Sequence, residues 1–269
     1  MVMTERRINP KGEMPFLEHL EELRWRILWS LFALVLATLL GFWIVQRFGV
    51  LQFLLAPLQE YRPNTKLVAL GITDPFFVTL KLALVVGSIL AFPILLYHLW
   101  SFLSPALEKQ EKRVIVPALY FGLLLFLAGA GLAYYIALPV TIPFLLGFQT
   151  QFLDTTLEVN RYFGFVTKLL IGFGAVFELP VVVMILSALG LVTPQFLRSK
   201  RRHALVINTV VASFLSPGDV ITVTILMMVP LILIYEVSIT LSSVIYRRRE
   251  RHILSSSDEP PEGAVGVGG

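Results

Sequence analysis

The sequence predicts an all-α membrane protein with six transmembrane helices, kinked spans, a short fifth/sixth hairpin and both termini cytoplasmic. Three observations carry this. First, 56% of the 269 residues are hydrophobic and 15% are charged, and mean hydropathy is +0.78. Several apolar runs approach or exceed the roughly 20 residues that cross a bilayer. Second, prolines stand inside those runs, at Pro93 and Pro180, where each removes a backbone donor and bends the helix. Third, of 22 Lys and Arg residues, sixteen fall in the N-terminal segment, the loops after spans two and four, and the tail. Four fall on the opposite side, and Lys81 and Lys168 lie within spans. The basic side is the cytoplasmic one.

In chain order, residues 1–26 are a cytoplasmic segment that ends in an amphipathic helix from Met14. Leu17, Leu20, Leu23 and Ile27 share one face, and Glu18 and Glu22 lie on another. Five acidic residues in this segment, ahead of a long apolar run, argue against a cleaved signal peptide. Residues 27–246 are the transmembrane domain. Span one covers about 27–47. A loop over 48–75 follows, marked by Pro57, Pro63, Asn64 and Asp74-Pro75. Span two covers about 76–102. Ser104-Pro105 then reads as a helix start, with serine as the cap and proline at the first position.

Span three covers about 114–138, and residues 139–161 form a second outer loop. Span four covers about 162–190 and ends at Thr193-Pro194. The fifth run, 203–215, is short: at 1.5 Å per residue it reaches about 20 Å, against about 30 Å of hydrocarbon. Ser216-Pro217-Gly218-Asp219 makes a tight turn, structural at Pro217 and Asp219. The sixth run continues past Glu236 to Tyr246. Residues 247–269 form a tail rich in Ser, Pro, Gly and acid, expected to be disordered.

Composition excludes several classes. There is no cysteine, hence no disulfide or thiolate metal site. His19, His98, His203 and His252 show no ligand spacing, so no metal or cofactor is expected. The isoelectric point near 9.4 arises from basic loops between spans, so nucleic acid is not the partner. No phosphate loop, Gly-x-Ser-x-Gly or His-Glu-x-x-His occurs, and the chain is not read as an enzyme.

The residues with chemistry lie at the membrane edge. Glu108 falls in the first turn after Ser104-Pro105, where the helix dipole favours an anion, but Glu111 sits too deep for that. Glu22 has a local alternative, an ion pair with Arg26 four residues on. Glu178 is the deepest charge, near the middle of span four, where an ionised carboxylate costs at least about 2.5–3.5 kcal/mol. Its local alternative is a hydrogen bond to the carbonyl freed by Pro180.

In this order, His19-Leu20-Glu21-Glu22-Leu23-Arg24, Pro75-Phe76-Phe77 with Lys81, Trp100-Ser101-Phe102-Leu103-Ser104-Pro105-Ala106-Leu107, Glu111 and Arg113, Phe177-Glu178-Leu179-Pro180 and Ser216-Pro217-Gly218-Asp219 resemble the TatC family over about residues 14–246. That family is the multispanning receptor subunit of the twin-arginine protein translocase. The resemblance implies a multi-pass protein of the cell (inner) membrane that binds paired-arginine signal peptides on folded cargo. It also implies docking of single-span TatA- and TatB-type subunits, contact with membrane lipid, and self-association. It assigns signal-peptide binding to Glu22, Glu111, Arg24, Phe102 and Arg113, and an intramembrane polar site to Glu178. It assigns partner-helix docking to Ser213, Ser216, Thr222 and Thr224; some members carry a glutamine where this chain has Val223. The chemistry suits these residues: each guanidinium presents a planar fork that one carboxylate accepts, so two adjacent arginines need two separate carboxylates. The alternative is a secondary transporter of a small solute, against which the chain shows no repeated half.

Overall fold

The computed structural model describes residues 16–63, 65–103, 115–147, 156–216 and 221–257. Every regular element among them is helical. The chain forms two compact units, Met1–Ala175 and Val176–Gly269.

In the first unit, α1 (Phe16–Arg47) runs without a break from the amphipathic segment through the first span. Its outer face is apolar and exposed, including Trp25, Trp29, Leu39 and Trp43, as expected of a surface that meets lipid. It packs on α3 (Asp74–Leu103), which carries Pro93 without interruption. The crossing is very close. A Cβ on Gly41 would strike the carbonyl oxygen of Ala83, and one on Gly87 would lie 2.6 Å from the Thr38 Cα. Small residues let the two backbones touch, which is how helices gain packing when lipid offers no hydrophobic contrast.

The stretch read as a loop over 48–75 contains α2 (Val50–Tyr61), with Pro57 inside it. Proline there cannot bond the carbonyl four residues back, that of Phe53. The Tyr134 hydroxyl donates to that oxygen at 2.7 Å, and the Tyr162 hydroxyl donates to the Leu54 carbonyl at 2.9 Å. Tertiary hydrogen bonds therefore sustain a helix that its own sequence marks as a turn.

Helix α4 (Ile115–Leu132) passes through a π-helical segment (Ala133–Ala137) into α5 (Leu138–Gly147). The expected boundary at 138 is thus corrected: helix continues over Pro139 and Pro143 to Gly147. Helix α6 (Val159–Val176) packs through Phe163, Val166, Leu169 and Phe173, all fully buried. The remaining connection is pinned by a single parallel bridge, Val68 with Glu158. Asp74 anchors the start of α3. Its Oδ2 accepts from the N–H groups of Leu70 (2.9 Å) and Gly71 (2.6 Å). Its Oδ1 accepts from Asn160 Nδ2 (2.6 Å), and Asn160 Oδ1 accepts from Lys81 Nζ (2.8 Å).

In the second unit, α7 (Leu179–Ala188) ends near Gly190, whose φ of 74° turns the chain. Thr193-Pro194 does not close the fourth span but opens α8 (Pro194–Ser199): the Thr193 hydroxyl accepts from the Phe196 N–H. Helix α9 (Arg201–Leu215) has 15 residues, about 22 Å long, short of a bilayer core. Helix α10 (Ile221–Ser257) carries Pro230 and extends past Tyr246 into the stretch read as a disordered tail. Ser187 and Ser242 share a buried hydrogen bond of 2.7 Å between α7 and α10. Asn208, also buried, donates from α9 to the Leu231 carbonyl at 3.3 Å.

Among the described residues, five helical runs are long and apolar enough to cross a membrane: Glu18–Arg47, Asp74–Phe102, Tyr120–Gly147, Val159–Ala188 and Met227–Arg247. The close approach of α1 and α3 generates a prediction. Gly87→Leu forces the helices apart and lowers the thermal midpoint of the purified protein by the equivalent of about 1–3 kcal/mol. Gly131→Leu, where nothing lies within 4 Å of the new Cβ, leaves the midpoint unchanged.

Candidate functional site

Two sites stand out, one in each unit. The first gathers where the start of α1 meets the end of α3. The His19 ring stacks on Phe102, centroids 4.3 Å apart and planes 9° from parallel. Glu22, one turn along α1, shares the His19 face. Its Oε1 accepts from Arg26 Nε at 3.0 Å and also from Arg26 Nη2. Its Oε2 is enclosed without a hydrogen bond, with His19 Nδ1 3.5 Å away. The side chain retains 23% exposure.

The expected local ion pair with Arg26 therefore exists, and it occupies only one oxygen of the carboxylate. The other oxygen, enclosed and 3.5 Å from His19 Nδ1, accepts no hydrogen bond among the described residues. Phe102 and Glu22 are brought to the same end of the first unit by His19. Sequence reasoning gave His19 no role, although it opens the His-Leu-Glu-Glu-Leu-Arg element. Arg24 is exposed and lies two residues from Glu22, about 200° around the helix, so it does not join that face. Glu111, Arg113 and the helix start at Ser104-Pro105 lie outside the described residues.

The second site is Glu178. Pro180 cannot bond the Val176 carbonyl, and the helix breaks there: α6 stops at Val176 and α7 starts at Leu179. The Glu178 carbonyl caps the restart, accepting from Val181 and Val182 N–H at 3.0 Å each. Its side chain makes no cap bond, and both carboxylate oxygens are enclosed with no partner among the described residues. The expected bond to the carbonyl freed by Pro180 is not made. A buried polar group left unpaired costs about 1–3 kcal/mol.

Of the docking residues, Ser213 is exposed, Ser216 is buried and Thr224 is half-buried. Thr222 lies in the first turn of α10. Pro217 and Asp219 lie outside the described residues. Glu236, at the expected membrane edge, pairs with Arg201 at 2.7 Å.

Helices long and apolar enough to cross a membrane, with an acid-and-aromatic surface at one helix end and a buried acid at a proline break, define a multi-span helical membrane protein. A family model described as Sec-independent protein translocase protein (TatC) matches residues 18–230. The chain is 39% identical to the Sec-independent protein translocase protein TatC of Aquifex aeolicus, covering 88% of this chain and 98% of that one. It is 33% identical to TatCy of Bacillus subtilis, over 95% of this chain and 98% of that one. A crystal structure titled as the twin-arginine translocase receptor TatC superposes with TM-score 0.75 at 39% identity, covering 84% of this chain and 99% of that one. The chain belongs to the TatC family and is a multi-pass membrane component of a protein translocase, not an enzyme. Family membership sets the solute-transporter alternative aside.

The unpaired acid generates a prediction. Glu178→Leu removes the unsatisfied group and raises the thermal midpoint of the isolated protein by the equivalent of about 1–3 kcal/mol. Export of folded cargo in cells carrying that variant is expected to fall. Both are read on one variant, by thermal unfolding and by a cargo-export assay.

Proposed function

We propose that this chain is the signal-peptide receptor and core subunit of a twin-arginine translocase. It crosses the membrane six times, α9 being the short fifth span, with both termini cytoplasmic in the cell (inner) membrane. The observation that carries the reading is the His19–Phe102 stack beside a half-occupied Glu22 carboxylate. That surface offers an acceptor for one guanidinium and an aromatic face for the residue beside it.

Glu111, on the segment that follows Phe102 in the chain, supplies the second acceptor, with Arg113 two residues on and Arg24 contributing from another face of α1. Each charge-assisted bond contributes about 1.5–3 kcal/mol. The incoming arginine displaces Arg26 from Glu22, so part of that gain is offset by the pair it replaces. Glu178 forms a polar notch for a partner helix. Ser213, Ser216, Thr222 and Thr224, around the turn at Pro217 and Asp219, dock single-span TatA- and TatB-type subunits. Copies of the chain self-associate in the working complex.

Glu22→Ala and Glu111→Ala are each expected to weaken binding of a twin-arginine signal peptide by about tenfold, one charge-assisted bond. Photo-crosslinking of a labelled peptide to membranes carrying each variant measures this. Unchanged crosslinking in both would remove these carboxylates from the site.

A further inference from the structure

A cavity of about 250 Å³ opens in the second unit between α8 and α10, lined by Arg198, Thr240, Ser243, Val244 and Arg247. None of the roles assigned above uses it. The α10 residues recur three or four apart and so share one face. Arg198 comes from the last turn of α8, which is held to α10 by the Tyr235 hydroxyl donating to the Leu197 carbonyl at 2.8 Å.

Among the described residues, the charge balance at this cavity is one-sided. Glu236, one turn before Thr240, is engaged by Arg201 at 2.7 Å. Arg198 and Arg247 have no ion pair or side-chain hydrogen bond among the described residues. Orientation of basic loops toward one side explains cations at a membrane edge, but not two guanidiniums converging on one cavity. Two like charges around one space favour an anion between them, and guanidinium forks match phosphate oxygens. The hydroxyls define the rest. Thr240 Oγ1 donates to the Glu236 carbonyl at 3.0 Å, and Ser243 Oγ donates to the Ile239 carbonyl at 2.9 Å. Their protons are spent on their own helix, so they offer lone pairs to a ligand that brings donors.

Apolar surface identifies the source of the phosphate. Val229 (55% exposed), Leu233 (62%), Val237 (45%) and Val244 (46%) form a stripe on the same face of α10, leading to the cavity along the span Met227–Arg247. A free phosphate gains nothing from such a stripe, whereas acyl chains cover it. We propose that α8 and α10 form a specific site for an anionic glycerophospholipid whose headgroup carries hydroxyl donors, of the phosphoglycerol type. The phosphate lies between Arg198 and Arg247, the headgroup hydroxyls donate to Thr240 and Ser243, and the chains run along the stripe.

Native mass spectrometry of the full chain in detergent tests this, with phosphatidylglycerol and phosphatidylcholine of identical acyl chains as probes. One phosphatidylglycerol is expected to be retained in preference to phosphatidylcholine. Arg198→Gln and Arg247→Gln are each expected to lower that preference about fivefold, and the double variant to abolish it. Arg202→Gln, on α9 outside the cavity, leaves it unchanged, and millimolar inorganic phosphate does not displace the lipid. Helicity by circular dichroism confirms that each variant is folded; if the double variant is not, the two single variants carry the test. Equal retention of both lipids by the unaltered chain would overturn the proposal. So would full preference in the folded glutamine variants, or displacement by inorganic phosphate alone.

Discussion

The first unit depends on one backbone contact, the crossing of α1 and α3 where Gly41 meets Ala83 and Gly87 meets Thr38. Helices are stiff rods, so one crossing point without slack determines where their ends lie. From Thr38 back to Glu22 is sixteen residues, and from Gly87 forward to Phe102 is fifteen. At 1.5 Å per residue these are about 24 and 22 Å. The two antiparallel arms therefore finish at one level, and the His19–Phe102 stack is what results there. The proposed recognition surface is made by helix register, not by a local motif.

A second theme is how backbone and side-chain polar groups are satisfied where water is scarce. Pro57 leaves the Phe53 carbonyl without its helical donor, and Tyr134 supplies a hydroxyl. Asp74 ties together two loop N–H groups and, through Asn160, the ammonium of Lys81. Against that background Glu178 is conspicuous: a break that frees a backbone carbonyl, beside a carboxyl with both oxygens enclosed and unpaired among the described residues. Buried polar groups are usually satisfied; among the described residues Glu178 is an exception together with Glu22 Oε2, Trp100, Thr141 and Thr167, and it differs from them in leaving both oxygens of a carboxyl unpaired.

Much of this was legible in the sequence because it is local. Apolar length marks the spans, the four-residue spacing of Glu22 and Arg26 marks their pair, and Pro180 marks the break beside Glu178. The short fifth run is present as α9. What was not legible depends on distant residues. Pro57, Pro139 and Pro143 read as loop signals, yet helix persists through all three, in α2 and α5. Nothing within residues 50–61 reveals that two tyrosines, from elsewhere in the fold, support α2. Thr193-Pro194 marks a boundary in the sequence but not the side of it to which the pair belongs, because signals that end one helix and start the next can share the same residues. His19 carries no signal of its own in the sequence, since a lone histidine has no ligand spacing and its stacking partner is 83 residues away.

In the proposed function, Phe102 and the start of α1 form a single surface that a paired-arginine peptide covers. The chain has no cysteine, so His19→Cys and Phe102→Cys together place the sole two thiols on that surface. Crosslinking them in membranes with a short bis-thiosulfonate reagent, with and without saturating twin-arginine peptide, measures the claim directly. Efficient crosslinking that the peptide suppresses, and that a twin-lysine peptide leaves intact, is the predicted result. Absence of the crosslink in the free protein, or equal yield with the twin-arginine peptide bound, would contradict it.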